Sequence, residues 1–457
     1  MHGWPRSAAL LSLLLTAAPS VAHADAVDDL APGSWYAIPG TKMRDVCPPN
    51  ETDYDWHFYC KGVMTAWSGG TLDTTRGRLV VWGGGHGDYK GNEVYTFDFG
   101  TLAWARVWGP SPLAQIGTIQ GFEAYGDGNP GSRHSYAGLT YAPPPVDAMI
   151  TMGGALWQNG AYALGTWSFG FAGNAWTRKT DGPNGQTYGD PSVYDPVTKH
   201  IFRRASGKMV EYDPTADQYA DRATYEAWPS APNVAAALDP DARLMVIVGS
   251  GRVDLYHLDT DQYELDVPVG GAGTKDLFGD GCPGIDFDPL QKRFVLWAGG
   301  QTVYTFDPVA RTYAAHAGAG DDPGPITTSG GVFGRFRYVP SRNVFVAVDN
   351  VDQDVHVLRM APGTGTPLPS LDGGTGGGGG QGGSTGLGGS GGQGGSTGLG
   401  GSGGTTGTTG SGGLGGAAGH ASSGCSCELG AAEETRAALW PLVALAAGAL
   451  ARRRRGA

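Results

Sequence analysis

The amino-acid sequence predicts an all-β fold made of six four-stranded repeats, and three observations lead to this prediction. Of the 457 residues 80 are glycine, 10% are aromatic and only 16% are charged, a composition that favours turns and strands over a helical bundle. Strand-like segments recur in a fixed order along the chain. The last repeat lacks one strand, and a matching strand stands alone near the N-terminus. No helix of any length is predicted before residue 430.

The first repeat, residues 65–108, shows the order most clearly. A strand of small residues leads through Asp73 and a turn to the apolar strand 78–82, which ends at paired glycines. A polar loop precedes the strand 94–98, and Trp104 opens a fourth strand. The order recurs, with weaker copies in the middle, at 133–178, 187–220, 233–268, 282–316 and 329–360. Such spacings suit the blades of a propeller.

The sixth repeat ends after its third strand, and residues 34–39 resemble the fourth strand that it lacks. Trp35 occupies the position that Trp104 holds in the first repeat. We therefore expect the N-terminal strand to complete the last blade, because ring closure protects the edges of the sheets. The predicted fold is a six-bladed β-propeller over residues 25–362. Seven blades is the alternative count, since the middle repeats are degenerate.

Several motifs of these repeats resemble the kelch and galactose-oxidase-like propellers. They are the paired glycines after the second strand, the Tyr-x-Phe-Asp third strand at 95–98, an aromatic residue about six positions later, and Arg-His-Ser at 133–135. The resemblance covers residues 34–360 and is specific for the fold. It says almost nothing about function, because such propellers host both binding modules and enzymes. An aspartate precedes the last hairpin turn in four repeats and is expected to accept backbone N–H groups: Asp98, Asp213, Asp259 and Asp307.

The N-terminal segment 1–24 has the pattern of a secretory signal peptide. Arg6 precedes an apolar run, and Ala22-His-Ala24 is a cleavage pattern, with an uncleaved membrane anchor as the alternative. Cys47 and Cys60 lie thirteen residues apart before the first repeat. In the oxidising compartment that export implies, we expect them to form a disulfide that pins loop 41–64 to the ring.

Two further segments follow the predicted propeller. Residues 363–424 hold 31 glycines in 62 positions and predict a disordered linker. Residues 425–457 contain Cys425, Cys427, an apolar run at 437–451 and four arginines at 452–455. This combination resembles the myxobacterial C-terminal sorting domain, which implies processing by a membrane protease and display at the cell surface, or secretion. A plain single-span anchor is the alternative, and membrane contact is expected only through this short transmembrane helix.

The charge of the chain limits its partners. Residues 25–427 carry 25 basic and 40 acidic side chains, a net charge of −15. This excess argues against nucleic acid as a partner, because phosphate binding needs a basic face. It argues equally against adhesion to anionic lipid. An extracellular glycan or protein is the expected partner.

Long polar loops nominate a ligand-binding surface over the first two repeats. They are the second-to-third strand loops of repeats one and two and the connection 109–132 between them. Exposed aromatic rings beside amides and carboxylates suit a sugar. The candidate ligand-binding residues are His86, Asp88, Tyr89, Glu123, Asp127, Trp157, Gln158, Asn159 and Tyr162. His134 could join His86 and Asp88, although packing also explains a histidine at that position.

The sequence predicts a recognition module and nominates no catalytic residue, metal ligand or cofactor. The alternative is a carbohydrate-active enzyme, either a sugar isomerase or lyase or a copper-radical oxidase in which Cys282 would join a tyrosine. The pair Tyr256-His257 resembles such an oxidase only superficially, because neighbouring side chains of a strand point to opposite faces. A calcium site at Asp321-Asp322 and a purely structural coat protein are further alternatives.

Overall fold

A computed structural model describes residues 20–116, 123–183, 188–205, 207–224, 233–279, 281–328 and 330–369. Most of the predicted signal peptide, nearly all of the predicted linker, and the sorting signal with Cys425 and Cys427 lie outside these ranges. Among the described residues, no helix is both long enough and apolar enough to cross a membrane.

The described chain forms six antiparallel four-stranded blades, as predicted. From the inner to the outer strand, blade one contains Gly69–Asp73, Arg78–Trp82, Val94–Asp98 and Ala103–Trp108. Blade two contains Leu139–Ala142, Ala148–Thr151, Trp167–Gly170 and Ala175–Arg178. Blade three contains Ser192–Asp195, His200–Ala205, Lys208–Asp213 and Gln218–Thr224.

The remaining blades follow the same order. Blade four contains Val234–Asp239, Leu244–Gly249, Arg252–His257 and Gln262–Glu264. Blade five contains Gly284–Asp288, Arg293–Trp297, Val303–Asp307 and Thr312–His316. Blade six contains Phe336–Val339, Val344–Ala347, Val355–Arg359 and, as its outer strand, Ser34–Ile38. Two-residue strands lie at Arg133–His134, Ala155–Leu156, Gly270–Gly271 and Ala319–Gly320.

The N-terminal strand closes the ring. Residues 34–38 pair antiparallel with residues 355–359 over the whole strand, so that Trp35 lies opposite Leu358. The strand also pairs in parallel with Ala319–Gly320, which follows blade five. The prediction of closure by a strand from the other end of the chain is confirmed.

The prediction that no helix precedes residue 430 is wrong in detail. A nine-residue helix, Ser20–Asp28, spans the predicted cleavage position and buries Val27 against blade six. Two four-residue helices, Trp56–Tyr59 and Gly62–Thr65, and two 3₁₀ turns, Met43–Val46 and Leu113–Gln115, occupy the connections. These segments are too short to show a helical periodicity, and tertiary contacts stabilise them.

The two ends of the propeller differ. The loops after each second strand and each fourth strand lie at one end, here called the loop face, and the short turns lie at the other, here called the turn face. The helix 20–28 and the segment 361–369 both reach the turn of blade six at the turn face. Asp28 pairs with Arg342 at 2.6 Å, and the Thr366 amide donates to the Pro340 carbonyl.

The repeated aspartates cap hairpin turns. Asp98, Asp213 and Asp307 each accept two backbone N–H groups of the turn that follows. Asp259 instead pairs with Arg243 at 2.9 Å. The structural interpretation therefore accounts for these side chains.

The disulfide between Cys47 and Cys60 is present and holds the connection 41–66 on blade one. Cys60 is fully buried beside Trp56 and Tyr89. Replacing both cysteines with serine is expected to lower the free energy of unfolding by about 2 kcal/mol, because the unfolded chain gains freedom. Urea unfolding of the double variant against the oxidised wild type measures this. An unchanged midpoint would show that packing alone holds the connection.

Candidate functional site

Two of the loops nominated from the sequence meet at the loop face. The loop after the second strand of blade one contacts its counterpart in blade two, where the Gln158 amide donates to the His86 carbonyl. Gly160 lies close to the His86 ring, since a Cβ atom added to Gly160 would lie 3.5 Å from it. The two loops therefore form one surface rather than two separate patches.

His86, Asp88 and His134 lie together on this surface. The rings of His86 and His134 are 4.6 Å apart, and His134 Nε2 lies 3.1 Å from Asp88 Oδ2. His134 is almost fully buried, whereas the Asp88 side chain is 47% exposed. The structure thus brings together three side chains that the sequence could only suggest as a group.

The charges of this group follow from burial and pairing. Burial lowers the pKa of His134, and His86 adds to this effect against the opposing influence of Asp88. Burial is the largest influence on Asp88 and opposes its ionisation, but the hydrogen bond with His134, the nearby charges of His134 and His86, and the Gly87 amide together outweigh it, so the pKa of Asp88 is lowered. At neutral pH a neutral His134 therefore donates from Nε2 to an ionised Asp88, and its Nδ1 faces the Tyr136 hydroxyl at 3.4 Å.

Aromatic residues cluster where three inner strands begin at the loop face. Trp67, Tyr136 and Phe333 each precede an inner strand, and their φ angles are +47°, +46° and +52°. Bulky residues rarely adopt this left-handed region, and such strain concentrates at functional sites. The Trp67 ring lies 4.8 Å from His134, and the Tyr136 ring lies 5.6 Å from Phe333.

The loop of blade two adds exposed aromatic surface. Tyr162 is 48% exposed and its ring lies 4.3 Å from that of Tyr188, whose hydroxyl donates to the Gly160 carbonyl. Trp157 is half-buried, and its indole Nε1 finds no acceptor among the described residues. Gln158 and Asn159 are exposed, and the Asn159 side chain accepts from the Ala161 amide. This loop offers the exposed ring of Tyr162 beside the exposed amide side chain of Gln158.

Glu123 and Asp127 of the long connection have other contacts. Glu123 accepts from the backbone amides of Leu164 and Gly165 and lies 3.2 Å from Arg133. It therefore fastens the connection to blade two. Asp127 is exposed and accepts from the Asn129 amide within its own turn.

Tyr89 lies beneath the surface rather than on it. Its side chain is fully buried, and its hydroxyl donates to Glu93. Tyr125 has a similar place, since its hydroxyl donates to the Lys90 carbonyl at 2.7 Å. Both tyrosines support the loop that carries His86, and we leave Tyr89 out of the candidate ligand surface.

The residues that a copper-radical oxidase would use lie away from the surface formed by His86, Asp88 and Tyr162. Cys282 is buried at the start of blade five, and burial raises the pKa of its thiol to about 12. Tyr256 is buried and its hydroxyl donates to Asp261, while His257 pairs with Glu264. In the described part of the chain, no three His, Cys, Asp or Glu side chains have a metal-ligating arrangement.

The fold and this surface define a six-bladed β-propeller with a polar, aromatic-rich patch at its loop face. No protein-family model matches the chain, and no curated protein matches it. It is similar to a solved protein of unknown function from Bacteroides thetaiotaomicron VPI-5482, with 8% identity, a TM-score of 0.43, and coverage of 71% of this chain and 74% of that one.

A second solved structure is an auxiliary nutrient binding protein from the same organism. It has 12% identity and a TM-score of 0.42 and covers 65% of this chain and 68% of its own. At these values neither similarity carries an argument about function. The six-bladed architecture therefore rests on the strand pairing of this chain itself.

Proposed function

We propose that this protein is an exported, surface-displayed recognition module that binds an extracellular glycan through the loop face of blades one and two. One observation carries the proposal: the half-buried His86, the ionised Asp88 and the exposed Tyr162 belong to loops that contact one another. A sugar needs a flat apolar face beside hydrogen-bond acceptors and donors, and this surface offers both. A protein ligand remains the alternative partner.

The placement of the two chain segments at the turn face supports display. Because the helix 20–28 and residues 361–369 both contact the turn of blade six, a tether that follows residue 369 would attach at the turn face and leave the loop face uncovered. The disulfide between Cys47 and Cys60 is in keeping with an oxidising compartment. Export, the kelch family and the sorting signal stay predictions from the sequence.

Replacing Tyr162 with alanine is expected to weaken glycan binding about threefold to tenfold, because an exposed aromatic face is lost. His86→Ala should weaken it as well, because the half-exposed imidazole and its hydrogen-bonding nitrogens are lost from the surface. The measurement is retention of the protein on a panel of bacterial and plant polysaccharides, with and without copper, followed by mass spectrometry of the bound material.

Val309→Ala is the matched control for these variants. Val309 is 92% exposed in a hairpin turn of blade five at the turn face, so its loss removes apolar surface away from the proposed site. Its retention should equal that of the wild type. If no polysaccharide is retained, or if all three variants lose binding equally, the glycan proposal is wrong.

One observation keeps the enzyme alternative open. His134 lies between the Asp88 carboxylate and the Tyr136 hydroxyl, an arrangement that can hold or move a proton. A new sugar product in the same experiment would favour an isomerase or lyase over a binding module. A product that forms only with copper would favour an oxidase and would require Cys282 to act.

A further inference from the structure

The central channel opens at the turn face into a cavity of about 360 Å³ that all six inner strands line. We call it the channel mouth. The residues at one equivalent position of the six inner strands, two before the last residue of each strand, all line this cavity. They are Thr71, Thr140, Val193, Ala237, Asp286 and Arg337. Four of these side chains are neutral, whereas the adjacent blades five and six contribute a carboxylate and a guanidinium.

The ring of blades does not need this pair of charges. Asp286 Oδ2 accepts from the Tyr338 amide at 2.9 Å and thereby links blade five to blade six. In blade one the neutral Thr71 makes the equivalent link, since its Oγ1 accepts from the Tyr141 amide at 3.0 Å. A hydroxyl is therefore sufficient for the structural role, and the charge of Asp286 calls for another explanation.

The two charged groups are only loosely paired. Arg337 Nη1 lies 3.9 Å from Asp286 Oδ1, beyond hydrogen-bonding distance. Arg337 Nε donates to the Gly334 carbonyl, and no hydrogen bond from its Nη atoms is found among the described residues. The two side chains are 12% and 22% exposed, so both can be reached from the cavity. Charges held in a channel with hydrogen-bonding capacity to spare are candidates for ligand binding.

An apolar rim surrounds the pair. Five of the six turns after the inner strands place a proline at the cavity: Pro143, Pro196, Pro240, Pro289 and Pro340. Leu72 and Phe287 line the wall below them. The channel mouth thus combines one positive group, one negative group and an apolar rim, with no net charge from the pair.

We propose that the channel mouth binds a small α-amino acid with an apolar side chain. The Arg337 guanidinium would receive the carboxylate, Asp286 would receive the ammonium group, and the side chain would lie against the proline rim. The cavity volume is within the range of small-molecule sites. The site lies at the opposite end of the propeller from the glycan surface and is independent of that proposed function.

The test is isothermal titration calorimetry of the full-length protein with L-leucine and two matched analogues. The analogue 4-methylpentanoate lacks the ammonium group, and 3-methylbutylamine lacks the carboxylate. Leucine should bind, and each analogue should bind at least about tenfold more weakly, since each leaves one protein charge without a partner.

Two variants assign the binding to the channel mouth. Arg337→Gln should weaken leucine binding at least about tenfold, and Asp286→Thr should do the same. The new threonine hydroxyl can still accept from the Tyr338 amide, as Thr71 accepts from the Tyr141 amide in blade one. If Asp286→Thr does not fold, Arg337→Gln decides. The proposal is overturned if the wild type does not bind leucine, if an analogue binds equally well, or if Arg337→Gln binds leucine as the wild type does.

Cross-controls separate this site from the glycan surface. His86→Ala should bind leucine like the wild type, and Arg337→Gln should retain polysaccharide like the wild type. Loss of leucine binding in His86→Ala would place the ligand at the loop face and overturn the assignment to the channel mouth.

Discussion

Replacing Trp35 with alanine is expected to lower the free energy of unfolding by about 3–5 kcal/mol. Trp35 belongs to the strand that closes the ring and is 1% exposed. Its indole Nε1 donates to the Gln301 carbonyl at 2.9 Å, and its ring lies 5.8 Å from Trp297 of blade five. One side chain therefore joins the closing strand to the neighbouring blade, and alanine would leave both a cavity and an acceptor without its donor.

Urea unfolding of Trp35→Ala against the wild type, followed by circular dichroism, measures this effect. Tyr36→Ala is the control on the same strand, because Tyr36 is only partly buried and should cost less than half as much. A chain that lacks residues 20–39 should lose its cooperative unfolding transition altogether, since blade six would then expose an unpaired edge. Equal stability of Trp35→Ala and the wild type would mean that the closing strand is dispensable.

Much of this fold could be predicted because the same features recur at equivalent positions of the repeats and so align the strands of different blades. Strand periodicity recurs in every blade, paired glycines follow the second strand of blades one, two and five, and an aspartate precedes the last turn of blades one, three, four and five. The missing fourth strand of blade six pointed directly to residues 34–39. The short helices escaped prediction because four residues cannot show a 3.6-residue period. The segment 56–65 is stabilised because Trp56 and Cys60 are buried against blade one, whose residues are distant in the sequence.

The candidate site was less predictable, because exposure depends on packing between loops. The place of His86 and Asp88 in a long polar loop predicts that they are exposed, and both reach the surface beside the almost fully buried His134. Tyr89 follows them directly in the sequence but is fully buried. Loop polarity alone cannot tell which neighbouring side chains point inward.

The aromatic residues at the loop face have a recognisable sequence context. Trp67 and Tyr136 each stand two positions before a glycine at or just before the start of an inner strand, and Phe333 directly precedes Gly334. In the structure these residues share a left-handed backbone. The charged pair at the channel mouth left no comparable trace, because Asp286 and Arg337 belong to different blades and only ring closure brings them together.

The loop that carries His86 ends at a buried acid with an unusual environment. Glu93 is fully buried; its Oε1 accepts from the Tyr89 hydroxyl, and its Oε2 finds no partner among the described residues. Burial raises the pKa of Glu93 to about 7, against the opposing effects of its hydrogen bonds and of Arg106. The protonated carboxyl is therefore the form that the folded protein prefers over most of the acidic range.

This shift makes stability depend on pH in a definite direction. Between pH 4.5, the ordinary pKa, and about pH 7, the folded protein keeps the Glu93 proton while the unfolded chain has lost it. The free energy of unfolding therefore falls as the pH rises through this window, by about 3 kcal/mol from this group. Asp254, whose pKa burial raises to about 6, adds a slope of the same sign.

Glu93→Gln is expected to remove the Glu93 part of this slope. The amide keeps an acceptor for the Tyr89 hydroxyl and carries no charge, so the variant should be more stable than the wild type by up to about 3 kcal/mol at pH 8 and close to it at pH 4.5. Urea unfolding at intervals from pH 4.5 to 8 measures the difference. Glu51→Gln, an exposed change in the neighbouring connection, should keep the slope of the wild type. If Glu93→Gln and the wild type lose stability in parallel across this range, Glu93 is ionised in the folded protein and the loop that carries His86 tolerates a buried charge.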